Sequence, residues 1–357
     1  MGGAANLTTY HTQPPAKINL FLETIAKRTD GYHELDTVMV AVDLCDDLEL
    51  SLSDRPGIQL DCQWMVSEET LAKQLGCDRN DPLLALPSPE DNLVTQALER
   101  FRARFSLKCG WKVRLRKRIP SGAGLGGASS DAASAIMLAA QAVAQDRTIA
   151  APSGLALPEL AGELHHIASE IGSDVPFFLG PQNESASNDF VTGSRTAGAR
   201  ATGRGEKLEF LDLPVPLHFA VIYPAKMQST AQVYGHVVVP EHPQNAAEMV
   251  AAIRNADRAR IRKEQFNRLQ EVTKQLNPAV HEALSAVDGA GIACAPMMTG
   301  SGSACFMHAD TLEAADSLAK SWSQSFLGGC VVHSATTSAI PAKISRSGHG
   351  SSCVNRS

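Results

Sequence analysis

The sequence predicts an α+β fold in two modules, and three observations carry that reading. Residues 16–24 alternate, with Ile18, Leu20 and Leu22 on one side and Lys17, Asn19, Phe21 and Glu23 on the other, the period of a half-buried strand. Several later segments repeat apolar residues at helical spacing. From Leu217 the order runs strand, helices, strand, helix, strand, which suggests an α+β sandwich. A chain of 357 residues is long for one core and comfortable for two. The expected modules are residues 14–212 and 213–338, with flexible tails at 1–13 and 339–357.

In chain order, Asp30-Gly31 is a turn signal after the first strand, and strand-like runs follow at Thr37–Leu44 and Asp47–Leu52. Cys62–Ser88 is irregular, with one short helix at Ser67–Leu75. Asp91 or Asn92 caps a helix whose Val94, Ala97, Leu98 and Phe101 share a face. Trp111–Arg118 alternates as a charged strand and ends at Pro120. An alanine-rich helix is expected over Ser129–Ala144 and another over Pro158–Glu170. Pro181–Gly205 has almost no large apolar residues and reads as a long loop. Leu217–Tyr223 opens the second module as a buried strand. Helices at Ala246–Arg254, Ile261–Leu276 and Pro278–Val287 follow. Then come a strand and glycine turn at Met297–Ser303, a strand at Ala304–His308, a helix at Thr311–Trp322 and a strand at Gly329–Ser334. The basic, serine-rich stretch Ser345–Ser357 reads as disordered.

Composition narrows the function. A net charge of -6 argues against nucleic-acid binding, which needs a basic face. No apolar run approaches the ~18 residues of a membrane span. Met1–Gln13 has neither the apolar core of a signal peptide nor arginine-rich transit character, so a cytoplasmic setting is expected. The eight cysteines form no CxxC pair, which argues against a zinc knuckle and for reduced, buried thiols. His165-His166 lies mid-helix and reads as structural.

The strongest chemical signal is Pro120-Ser121-Gly122-Ala123-Gly124-Leu125-Gly126-Gly127-Ala128-Ser129-Ser130. Small residues let the backbone approach a ligand, and a helix begins directly after them. Its first N–H groups have no partner within the helix, and its dipole is positive at that end. Together these suit phosphates, with Ser129 or Ser130 as a metal contact. Gly122, Gly124 and Gly127 match GxGxxG, but the preceding strand is charged and no acidic residue closes a strand ~20 residues on. A Walker loop would need Gly-Lys-Ser/Thr, which is absent.

With three further segments, the loop resembles the galactokinase, homoserine kinase and mevalonate kinase (GHMP) superfamily. These are Pro15-Ala16-Lys17-Ile18-Asn19-Leu20, Gly172-Ser173-Asp174-Val175-Pro176-Phe177-Phe178, and Met298-Thr299-Gly300-Ser301-Gly302-Ser303-Ala304-Cys305. The first segment followed by Arg28-Thr29-Asp30-Gly31-Tyr32-His33-Glu34-Leu35 is similar to the 4-diphosphocytidyl-2-C-methyl-D-erythritol kinase family of isoprenoid precursor biosynthesis. The resemblance implies a ribosomal-S5-like N-terminal domain, a ferredoxin-like C-terminal domain and an active site between them. It implies ATP as phosphoryl donor, Mg²⁺, and a small-molecule acceptor with a cytidine diphosphate group, in a monomer or homodimer without nucleic-acid or membrane partners.

Residue roles follow from that resemblance together with the chemistry. An alcohol is a poor nucleophile at neutral pH, and a carboxylate in reach can take its proton. Asp174 is the expected base, and Lys17 the cation that keeps it ionised and offsets phosphate charge. Asn19 shares the Lys17 face and is expected to contact substrate. The resemblance implies a cytosine and ribose site at Tyr32 and His33, faced by Thr230 and Tyr234, and an adenosine pocket at Asn92, Leu93 and Lys117. A mevalonate or homoserine kinase would share the glycine loop but has no reason to keep Asp30-Gly31-Tyr32-His33. A non-catalytic relative should have lost the base or the loop glycines.

Overall fold

The computed structural model describes residues 8–145, 157–181, 196–286, 295–326, 329–340 and 343–347. Its N-terminal half opens with β1 (Thr9–Thr12), β2 (Pro15–Lys27), β3 (His33–Cys45), β4 (Asp47–Ser53) and β5 (Ile58–Trp64). Helices α1 (Glu68–Leu75) and α2 (Leu93–Arg104) lead to β6 (Gly110–Lys117). Then come α3 (Gly127–Gln145), α4 (Leu157–Ile171), α5 (Val175–Leu179), β7 (Thr196–Gly203) and β8 (Lys207–Asp212). Asn92, one of the two cap residues expected, caps α2, and Ser67, expected as the first residue of its helix, caps α1; each accepts a backbone N–H of the first turn.

The C-terminal half runs β9 (His218–Pro224), α6 (Thr230–His236), α7 (Ala247–Arg254), α8 (Arg258–Lys263), β10 (Phe266–Asn267), α9 (Gln270–Leu276) and α10 (Pro278–Ser285). It continues through β11 (Met297–Met298), β12 (Cys305–Ala309), α11 (Leu312–Ser325), β13 (Cys330–Thr336) and β14 (Ile344–Ser347). The strands form three sheets, ordered β14-β1-β4-β6-β5, β10-β2-β3-β7-β8 and β11-β12-β9-β13.

Two cores flank the β2–β3 sheet. On one side Met39, Ala41, Ala199 and Ala201 pack with α2, α3, α5 and the β4–β6 strands. On the other, Ile18, Val38, Val40 and Val42 pack with α1, α7 and Phe219 and Phe306 of the C-terminal sheet. Helix α3 is buried on every face from Ser130 to Ala142, as a central helix is, and its alanines let neighbours approach closely.

Several expectations need correction. β2 is buried on both faces, not one, from Pro15 through Leu22. A bulge between Asn19 and Phe21 also inverts the alternation, so Phe21 joins Ile18 and Leu20 in one core and Leu22 enters another. The long loop expected over 181–205 contains β7, which pairs with both β3 and β8. Its run Ala-Gly-Ala-Arg-Ala offers no bulky signal: Ala199 and Ala201 are buried, and a Cβ at Gly198 would lie 2.9 Å from Met39 O; residues 182–195 lie outside the described ones. β1 and β14, placed by sequence in flexible tails, pair with each other, and β1 also pairs with β4. The helix expected over Ile261–Leu276 is cut by β10, which pairs parallel with β2. Asn267 causes the cut: its amide donates to the carbonyls of Met298 (2.7 Å) and Gly300 (2.8 Å), and its oxygen accepts from Leu269 N. The expected tail beyond Ser347 lies outside the described residues.

Candidate active site

The glycine loop is anchored at both ends. Asp46, after β3, accepts the backbone N–H groups of Arg118 and Ile119 as the chain leaves β6. At the other end the Lys17 N–H donates to Leu125 O at 2.9 Å. Gly124 has φ +75°, and a Cβ there would come within 2.4 Å of Thr299 O. The loop is thus pressed against the turn 299–302, and Ala304 N donates to Ala123 O at 3.0 Å to fasten it. At Gly126, φ +72°, a Cβ would lie 3.0 Å from Lys17 Cγ and 3.1 Å from Phe178 Cζ. Glycine here therefore leaves Lys17 its space as well as the backbone its turn.

Lys17 Nζ lies 3.8 Å from Asp174 Oδ2 and donates to Asn19 Oδ1 at 2.5 Å. Burial pushes the ammonium below its ordinary pKa, and the Asp174 carboxylate opposes that shift. Asp174 occupies the N-cap position of α5 but makes no capping hydrogen bond, so its carboxylate is directed to Lys17 and the cleft rather than to the helix. About a third of that side chain is exposed, and Lys17 is almost wholly buried.

At the acceptor end, His33 is buried and its ring lies 5.3 Å from that of Tyr234 at an interplanar angle of 34°. Burial, with Lys27 nearby, lowers the His33 pKa. Burial, with Asp174 nearby, raises the Tyr234 phenol and keeps it protonated. Thr230 Oγ1 is 2.9 Å from Ser301 Oγ, joining α6 to the C-terminal turn. Tyr32 is exposed. All of these side chains share one cleft of ≈ 1030 Å³ with the glycine loop, Asn92, Leu93 and Lys117.

The structure refines three expected roles. Asn19 accepts from Lys17 and Thr299 and donates to Thr37, so its polar groups are engaged in holding Lys17. The Lys117 ammonium is buried and bonded to Asp46 and Asp131. Burial works against that charge, but the two carboxylates outweigh it and raise the pKa. The Ser130 side chain is buried away from the cleft, whereas Ser129 lines it. Sequence reading missed Asn267, the bonding of Thr299 to Asn19, and the acids Asp46 and Asp131 that hold Lys117. Asn267 left no local trace, standing beside Arg268 in a stretch already rich in polar residues. His165 and His166 do not line the cleft; His166 lies 3.4 Å from Glu170 on its own helix. Among the described residues, no group of three or more His, Cys, Asp or Glu gathers to hold a metal. Cys45, Cys62, Cys77, Cys305 and Cys330 form no disulfide, and no described helix is long and apolar enough to cross a membrane.

Residues 92–180 match the family model of the GHMP kinases N terminal domain, and residues 249–327 that of the GHMP kinases C terminal. A crystal structure of homoserine kinase from Cytophaga hutchinsonii shares the fold, with a TM-score of 0.64 at 18% identity over 96% of this chain and 99% of that one. Fold and loop together define an ATP-dependent small-molecule kinase of the GHMP class. A crystal structure of 4-(cytidine 5'-diphospho)-2C-methyl-D-erythritol kinase superposes with a TM-score of 0.66 at 27% identity, covering 92% of this chain and 99% of that one. The chain is 43% identical to 4-diphosphocytidyl-2-C-methyl-D-erythritol kinase of Rhodopirellula baltica over 94% of its own length and 97% of the relative. The corresponding figures for the Exiguobacterium sibiricum protein of that name are 35%, 84% and 88%. The chain belongs to the 4-diphosphocytidyl-2-C-methyl-D-erythritol kinase family.

Proposed function

We propose that this chain transfers the γ-phosphoryl group of ATP to the 2-hydroxyl of 4-diphosphocytidyl-2-C-methyl-D-erythritol. The observation that carries the proposal is one cleft with the Lys17–Asp174 pair and the glycine loop in it and the His33–Tyr234 ring pair beside them. Asp174 takes the proton of the acceptor hydroxyl as the new O–P bond forms and the bond from the γ-phosphorus to ADP breaks, with the Lys17 ammonium as its charge partner. The Lys17 ammonium and the backbone N–H groups at the start of α3 offset the charge on the transferred phosphoryl. Asn19 and Thr299 hold Lys17 in place. His33 and Tyr234 present aromatic faces and hydrogen-bonding edges to a base, where stacking contributes ~1–3 kcal/mol.

The donor set fits a magnesium ion carried with the nucleotide. Such an ion takes only one or two protein oxygens beside those of the phosphates, and the Ser129 hydroxyl and Asp174 carboxylate face the same cleft. When bound, it neutralises phosphate charge. The thiols of Cys45, Cys62, Cys77, Cys305 and Cys330 fit a cytoplasmic, reducing setting.

Coupled ADP release tests the proposal against four acceptors: the cytidylated methylerythritol, methylerythritol phosphate, mevalonate and homoserine. The first should be turned over and the others scarcely at all. Equal use of mevalonate or homoserine would remove the acceptor assignment and leave only the class.

A further inference from the structure

Arg204 stands in the turn between β7 and β8, and its side chain lines the cleft. Its guanidinium lies over the Tyr32 ring, 5.2 Å from the centroid. Among the described residues, no carboxylate forms an ion pair with it. The nearby acids are engaged elsewhere: Asp30 and Glu34 are held by Arg28, and Glu206 accepts the backbone N–H of Arg204 at 2.6 Å. Lys27 also lines the cleft and forms no ion pair among the described residues. Asp30 attracts Arg204 only from a distance, being bound by Arg28; two cations without a close ion-pair partner among the described residues, one of them steadied on an aromatic ring, suit an anionic ligand.

Position indicates which anion. Arg204 is followed by Gly205, where a Cβ would lie 3.8 Å from Ser173 Cβ and 4.0 Å from Asp174 Oδ1. The turn therefore abuts the proposed base. On its other side the guanidinium reaches Tyr32, whose chain neighbour His33 packs on Tyr234. Arg204 thus bridges the reacting end of the cleft and its aromatic end. In an acceptor built as cytidine, diphosphate and polyol, the group between those two ends is the diphosphate.

We propose that Arg204 is a specificity-determining residue that binds the diphosphate of the acceptor, with Tyr32 as the platform that holds its guanidinium. This rests on the acceptor reading above. Its consequence is a graded preference, with CDP bound more tightly than CMP and CMP more tightly than cytidine.

Calorimetry on the full chain tests this, with ADP saturating the nucleotide site and CDP, CMP and cytidine as probes. The unmodified protein should bind CDP ~10–100-fold more tightly than cytidine, the range of charge-assisted hydrogen bonds. In Arg204→Met that advantage should shrink by about tenfold or more, while cytidine affinity changes only a few-fold. Arg204→Lys should restore part of it, since an ammonium keeps the charge but not the planar fork. ADP affinity reports that each variant is folded. An Arg204→Met protein that keeps its CDP preference, or that loses CDP and cytidine affinity in equal proportion, overturns the assignment. If the unmodified chain turns over the cytidylated acceptor yet shows no preference that depends on Arg204, this inference fails alone. If it neither binds cytidine nor uses that acceptor, the function proposed above fails with it.

Discussion

In the proposed mechanism the Asp174 carboxylate does two things at once: it accepts the hydroxyl proton and holds the buried Lys17 ammonium charged. Burial alone drives Lys17 toward the neutral amine, and Asp174 is the group opposing it. Asp174→Asn removes both effects while keeping the shape. Turnover should fall by ~10²–10⁴. The alkaline limb of the remaining activity should move to lower pH, because nothing then offsets the desolvation of Lys17. ATP affinity should stay within a few-fold, since the loop is fastened by Leu125 and Ala123 rather than by Asp174. Near-normal turnover in a folded Asn variant would remove Asp174 as the base, and an unmoved alkaline limb would remove its hold on Lys17.

Elements whose periodicity was strong were legible in the sequence, and those defined by tertiary contacts were not. The cap at Asn92, the alanine-rich α3 and the glycine loop announce themselves through local chemistry. β7 and β14 do not, because what makes them strands is an edge to pair with. β10 is hidden for the same reason, fixed by Asn267 and by β2. At the site, Lys17, Asp174 and His33 were readable through motifs, whereas Asn267 and Arg204 acquire meaning only from what the fold places beside them. β12 carries a further consequence that sequence could not supply. His308 is buried there against Phe219, with ring centroids 5.3 Å apart. Burial, helped by Arg262, Arg258 and His218 and opposed by Asp310, lowers its pKa from 6.5 to about 4. The unfolded chain therefore takes up this proton first as pH falls. The stability contributed by the neutral ring is present above about 6.5 and is lost as pH falls toward about 4. Between pH 7.5 and 5 that loss should be about 2 kcal/mol. His308→Leu should flatten the acid branch by this amount in urea titrations at the two pH values. An unchanged slope would mean that the ring titrates alike in the folded and the unfolded chain.

Across the whole molecule, two buried carboxylates on the central sheet hold the C-terminal half in place. Asp36 on β3 binds Arg200 through two bonds of 2.8 Å and accepts Ala246 N at 3.0 Å, just before α7. Glu23 on β2 is fully buried, binds Arg268 at 2.8 and 2.7 Å, and accepts Gln244 N at 3.2 Å. Arg268 directly follows Asn267, which holds the carbonyls of the turn packed beneath Lys17 and against Gly124. Glu23 itself does not line the cleft. Its contribution to activity therefore runs through the seating of one half on the other. Glu23→Gln leaves the Arg268 guanidinium without its counter-charge. Removing one member of a fully buried pair costs ~3–5 kcal/mol, and partial exposure of Arg268 brings the expectation down to about 2–3 kcal/mol. Turnover should fall with stability as the turn under Lys17 loosens. Glu23→Met combined with Arg268→Met should be more stable than the single changes predict when added, because no charge is then left unpaired. Chemical denaturation and turnover measured on the two single variants and the double variant decide this. Additive losses, or full activity in Glu23→Gln, would show that the two halves are seated by apolar packing alone.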